Sequence, residues 1–158
     1  MFQLSEMIGE KKVNLALKNL LNKHSYPGFK PVSTDFINEL YAITDPAIHS
    51  KIDDLFKKIT LYNLKIDNKS VRKAGAKYEL TLNASANKYY EDGKGHQTKA
   101  TFNDTVQIAV LFKNGKEMIW NLPVTENQIA GKIQFDNEPL SLLIDPKVKF
   151  INISLPPL

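Results

Sequence analysis

Residues 78–86, YELTLNASA, alternate without a break. Tyr78, Leu80, Leu82, Ala84 and Ala86 fall on one side of an extended chain, and Glu79, Thr81, Asn83 and Ser85 on the other. Successive side chains of a strand point to opposite faces, so the pattern predicts a strand with one face on a core and one in water. The neighbouring segments read the same way. ITLYNLKID (59–67) precedes it, and DTVQIAVLF (104–112) follows with Val106, Ile108, Val110 and Phe112 on a shared face. KNGK (113–116) is a hairpin turn of the Asn-Gly type leading into EMIWNLPV (117–124), while QIAGKIQF (128–135) and VKFINISL (148–155) supply further strands. Six or seven short strands at this spacing predict an antiparallel immunoglobulin-like β-sandwich over residues 59–158.

Upstream the period is helical. In KKVNLALKNLLNKH (11–24), Val13, Ala16, Leu17, Leu20 and Leu21 recur at helical spacing, with Lys23 and His24 in the last turn, where cations suit the helix dipole. SYPGFKP (25–31) breaks the pattern. STDFINELYAI (33–43) starts a second helix, with Ser33 or Thr34 as N-cap, Asp35 in the first turn, and Phe36, Ile37, Leu40 and Tyr41 on one side. In DPAIHSKIDDLFKKI (45–59), Asp45 caps, Pro46 takes the first helical position, and Ile48, Ile52, Leu55, Phe56 and Ile59 form the apolar stripe. The whole chain reads as α+β: a short N-terminal helical layer over 1–58, then the sandwich.

Composition limits the chemistry. The 158 residues, 42% of them hydrophobic, are enough to bury a core without disulfides, and the lack of cysteine removes thiolate metal sites and cysteine nucleophiles. The net charge of +4 comes from scattered lysines, with Arg72 the only arginine; this is a solvated surface and not a nucleic-acid patch. No apolar run reaches the length of a membrane span, and MFQLSEMIGEKK lacks the basic start and apolar core of a signal peptide, so by itself the chain reads as cytosolic.

The stretch KYYEDGKGHQTKATFND (88–104) resembles a functional loop. A phosphate loop needs a helix after it, and the residues after Gly95 are strand-like, so EDGKGH is the tip of a long hairpin, with Asp92-Gly93 as the usual turn pair. Asp92, Asn103 and Asp104 are oxygen ligands close in sequence, but without the alternating carboxylates of a calcium loop. His24, His49 and His96 fall in separate segments, with no H-E-x-x-H and no G-x-S-x-G elbow. No catalytic, cofactor or metal residue is expected. Tyr89, Tyr90, Asp92 and His96 are the candidate contacts for a ligand or partner. Trp120 reads as core, Asp53 and Asp54 as a solvated helix flank or a link to the following turn, and four N-x-S/T sequons, at Asn68, Asn83, Asn103 and Asn152, as chance products of a lysine- and asparagine-rich chain.

Three ordered pieces carry a family resemblance: residues 26–66, residues 78–112 and LLIDP (142–146). DLFKKITLY (54–62), DGKGHQT (92–98) with Asn103-Asp104, and IDP (144–146) are their most specific parts. Over about Leu17 to Pro146 the chain resembles the C-terminal end of the aminopeptidase N type (gluzincin) zinc metallopeptidase region that, in many bacteria, is fused to an ABC-2 type transporter permease. The resemblance implies a non-catalytic C-terminal piece, a helical end followed by a β-sandwich-like tail, on the non-cytoplasmic face of a bacterial membrane. Its partners would be the catalytic and helical regions of the parent protein, with no nucleic acid and no insertion of this chain in the membrane. Zinc is implied for the parent, whose ligands lie far upstream of the part seen here. The family tends to follow its Asp-Pro with a polar ending, whereas this chain runs KVKFINISLPPL. The alternative expectation is a free-standing immunoglobulin-like module that binds a protein or carbohydrate ligand.

Overall fold

A computed structural model describes residues 1–25 and 28–153. Tyr26 and Pro27 of the SYPGFKP break lie outside the described residues, as does the end of VKFINISL from Ser154 onward. The chain divides into two compact units, Met1–Ile59 and Thr60–Leu158.

The first unit is helical: α1 (Phe2–Ile8), α2 (Glu10–Lys23), α3 (Ser33–Ile43) and α4 (His49–Phe56), the last entered through one 3-10 turn, Pro46–Ile48. Helix α1 has no counterpart in the sequence reading. Gly9, with φ 87°, separates it from α2, in a region of backbone space that favours glycine. Leu4 of α1, Val13 and Ala16 of α2, Ile37 and Leu40 of α3 and Ile52 of α4 form one buried cluster. Full burial of such aliphatic side chains contributes about 1.5–3 kcal/mol each. Asp45 accepts the N–H of Ala47 at 2.8 Å ahead of Pro46, as the Asp-Pro pair predicts. At α3 the expected cap is displaced: Val32 is the N-cap, and Asp35 accepts its backbone N–H at 2.9 Å, so one carboxylate serves the orphan donor without Ser33 or Thr34. Glu39 is buried yet charge-paired with Lys23 across α2 and α3. No helix among the described residues is long and apolar enough to cross a membrane.

The second unit is the antiparallel β-sandwich that the alternation predicts. One sheet holds β1 (Ile59–Ala74), β2 (Lys77–Glu91), β3 (Gln97–Ala100) and β6 (Gln128–Phe135), with β1 at one edge and β6 and β3 both paired to β2. The other runs β5 (Glu117–Pro123), β4 (Thr105–Phe112), β7 (Pro139–Ile144). The YELTLNASA strand lies inside β2, with Leu80, Leu82, Ala84 and Ala86 buried and Tyr78 packed against the core, as its alternation requires. Val106, Ile108, Val110 and Phe112 of β4 are buried too. Trp120 packs partly buried against that core, 6.3 Å from the ring of Phe135. Glu79 joins Arg72 and Gln134 in a polar row across the opposite face of the first sheet.

Two strand expectations change. Strand β7 was not legible, and VKFINISL forms no sheet strand over its described part. Instead Asp145, buried and at φ 50°, ends β7 and accepts the N–H groups of Lys149 and Phe150, both at 3.0 Å. The chain thereby crosses to the other sheet. Phe150 seats between Tyr62 and Phe102, with ring centroids at 4.6 and 5.4 Å. Beyond it the backbone pairs with β1 at Tyr62, and the carboxamide of Asn152 bonds both the N–H and the C=O of Leu64 at 3.1 Å. Asn152 is thus a structural residue, whatever its sequon.

Candidate functional site

The hairpin that the sequence singles out is built as a turn. Strand β2 pairs with β3 in the register Tyr89 to Lys99, Tyr90 to Thr98 and Glu91 to Gln97. At the tip, Asp92 accepts the N–H groups of Lys94 at 2.8 Å and His96 at 3.2 Å, and its second oxygen lies 2.9 Å from His96 Nδ1. The Lys94 N–H, followed by the His96 side chain, holds the Asp92 carboxyl below its ordinary value. Gly93 and Gly95, at φ 76° and 92°, supply the left-handed positions that this tight path needs. Asp92 and His96 are therefore brought together, exposed, with their hydrogen-bonding capacity turned towards the loop itself. Tyr89 and Tyr90 are successive strand residues and point to opposite faces, so they do not form one aromatic platform. Tyr90 instead shares a face with Lys88, whose ammonium lies 4.9 Å from its ring centroid. Asp104 accepts the N–H of Thr105 at 2.8 Å. Among the described residues no three His, Asp or Glu side chains are grouped to hold a metal ion.

In the helical unit, Tyr41, His49, Asp53 and Lys57 form a cluster that the sequence does not announce, since its members come from two helices. Tyr41 stacks on His49 at 4.3 Å and donates its hydroxyl hydrogen to Asp53. Lys57 lies 2.8 Å from the same hydroxyl and 2.9 Å from the Asp53 carboxylate. The Tyr41 hydrogen bond, then Lys57, lowers the Asp53 pKa, while Tyr41, then Asp53, raises that of Lys57. Neighbouring Asp54 pairs with Lys58. Both aspartates thus tie α4 to its own last turn or to α3.

Helix α2 departs from its expected packing. Val13 and Ala16 are buried, but Leu17 is only partly covered and Leu21 is 68% exposed. One turn apart, these two leucines share a face. Phe29, just beyond the helix, is 93% exposed.

The sandwich also carries a cleft that no single segment announces. The chain passes between the sheets by the tight turn joining β5 to β6 on one side, while β1 and β7 are the edge strands of their sheets. Between those edges lies a cleft of about 300 Å³, walled by Leu80, Val110, Phe135 and Leu142, with Lys69, Val71 and Leu140 at its mouth. Leu140 is 62% exposed. The sequence signal for it is Val71, a large apolar residue in the polar run DNKSVRKAG (67–75).

No protein-family model and no curated protein matches this sequence.

Proposed function

We propose that this chain is a non-catalytic accessory domain that acts by contact with other polypeptide. Its setting is the one the sequence resemblance implies: the C-terminal region of a membrane-associated zinc aminopeptidase-like protein, on the non-cytoplasmic face, where it braces the peptidase core or holds a partner. The observation that carries this reading is the pair Leu17 and Leu21, apolar side chains one helical turn apart, of which Leu21 is 68% and Leu17 36% exposed. Monomeric surfaces leave single leucines exposed as a matter of course; a same-face pair, with Phe29 exposed close by in sequence, is what a docking helix presents.

Photocrosslinking tests the docking face. With Leu21 replaced by benzoylphenylalanine in the natural gene product, irradiation of membranes is expected to give a crosslink to the helical or catalytic region of the same protein. Crosslinking to lipid or water alone would contradict the reading.

A further inference from the structure

We propose that the open side of the sandwich, between the edge of β1 and β7, binds an extended, acidic polypeptide segment by strand addition, with its apolar side chains entering the cleft. This inference goes beyond the docking of the helices and stands on the sandwich alone, whether or not the chain belongs to a peptidase.

The fold itself shows what this side accepts. In the half nearer Tyr62, the chain after Asp145 fills the gap: it pairs with the β1 edge, with Tyr62 N–H to Ile151 C=O at 2.9 Å and Ile153 N–H to Tyr62 C=O at 2.8 Å, and inserts Phe150 between the sheets. Among the described residues that pairing reaches Leu64, whose N–H and C=O bond the Asn152 carboxamide. Past this point β1 continues to Ala74 with residues 67–74 exposed throughout, an edge of the kind that recruits another strand. The cleft lies beside that second half. It repeats the chemistry of the filled half, an apolar floor reached from a strand edge, and at about 300 Å³ it matches the lower end of natural binding pockets.

Charge selects the occupant. Along the exposed edge Lys69, Arg72 and Lys73 stand against one acid, Asp67, which accepts a hydrogen bond from Ser85, and no acidic residue lines the cleft. Arg72 is committed to Glu79, but Lys69 stands at the mouth. A segment alternating apolar and acidic residues would place one set in the cleft and the other against the lysines; charge of the wrong sign at such a rim costs affinity and slows association.

The test uses the full chain and a fluorescein-labelled nine-residue peptide of alternating glutamate and valine, read by anisotropy and by amide chemical shifts. Saturable binding is expected, with shifts concentrated at residues 69–73 and 139–142. Leu140→Asp and Val71→Asp, both at exposed mouth positions, should each weaken binding of this acidic peptide at least tenfold. His96→Ala should leave it unchanged, and a peptide with lysine in place of glutamate should bind several-fold more weakly. Absence of saturable binding, equal affinity for both mouth variants and the unaltered chain, or shifts centred on Tyr89–His96 would each overturn the proposal.

Discussion

The carboxylate of Asp145 holds the backbone N–H of Phe150 at 3.0 Å, and this one bond aims the chain from one sheet of the sandwich to the other. Asp145 is buried, its second oxygen accepts Lys149 N–H, and Val148 between them sits at φ 48°, a costly conformation for a β-branched residue. The cap and the seating of Phe150 against Tyr62 hold that turn in place. Asp145→Ala is expected to destabilise the sandwich by about 2–3 kcal/mol, because two backbone donors lose a charged acceptor. Asp145→Asn keeps one acceptor and tolerates the left-handed backbone, so its cost should be near half. Urea unfolding followed by Trp120 fluorescence measures both.

Tyr41 is the hub of the polar cluster on α3 and α4. Tyr41→Phe should cost about 1 kcal/mol, since it removes one donor and one acceptor at a partly exposed site. The pH dependence has two arms. Asp53 is held below its ordinary 3.8, so its contribution is complete above that pH and fades as pH falls through the lower folded value. Lys57 is held above its ordinary 10.5, so its contribution is complete below that pH and is lost as pH rises through the higher folded value. Stability measured by helical circular dichroism should lose part of both arms in Tyr41→Phe and the acid arm of this pair in Asp53→Asn.

The turn joining β5 to β6 places Glu126 and Asn127 at φ 52° and 62°, closed by two hydrogen bonds of 2.9 Å between Thr125 and Gln128. Glutamate is a poor residue for that region and Asn-Gly the preferred pair. The double substitution E126N/N127G is expected to stabilise the chain by about 0.5–1 kcal/mol, visible as a raised urea midpoint with an unchanged slope.

Asp92 organises an exposed loop and not the core. Asp92→Ala should change global stability by less than about 0.5 kcal/mol, while amide exchange at Lys94 and His96 accelerates. Since the Asp92 carboxyl lies below its ordinary value, the same loosening should appear in the unaltered chain as pH falls through the lowered folded value, and be absent above 3.8.

How much the sequence disclosed follows from where burial is one-sided. YELTLNASA has one dry and one wet face, so its period shows; Pro139–Ile144 of β7 runs Leu-Ser-Leu-Leu-Ile without alternation and does not. The second half of β1 is exposed on both faces and carries no apolar period at all. VKFINISL alternates as well as many strands, but the turn made by Asp145 spends its first residues on a crossing. Helix α1 is only seven residues long, and its single fully buried residue, Leu4, gives no period to read. At the candidate hairpin, the Asp-Gly turn chemistry was readable because it is local. The opposed faces of Tyr89 and Tyr90 follow from strand geometry. The cleft was not readable, since its walls come from β1, β2, β4, β6 and β7, and only the fold brings them together.

The central claim, that this chain works as an accessory part of a larger membrane protein, is tested most directly by the size and location of the natural product. Cells of the source organism would be fractionated and blotted with an antibody raised to this chain. The account predicts a membrane-bound band several times heavier than the chain. A soluble band of the chain's own size would contradict it.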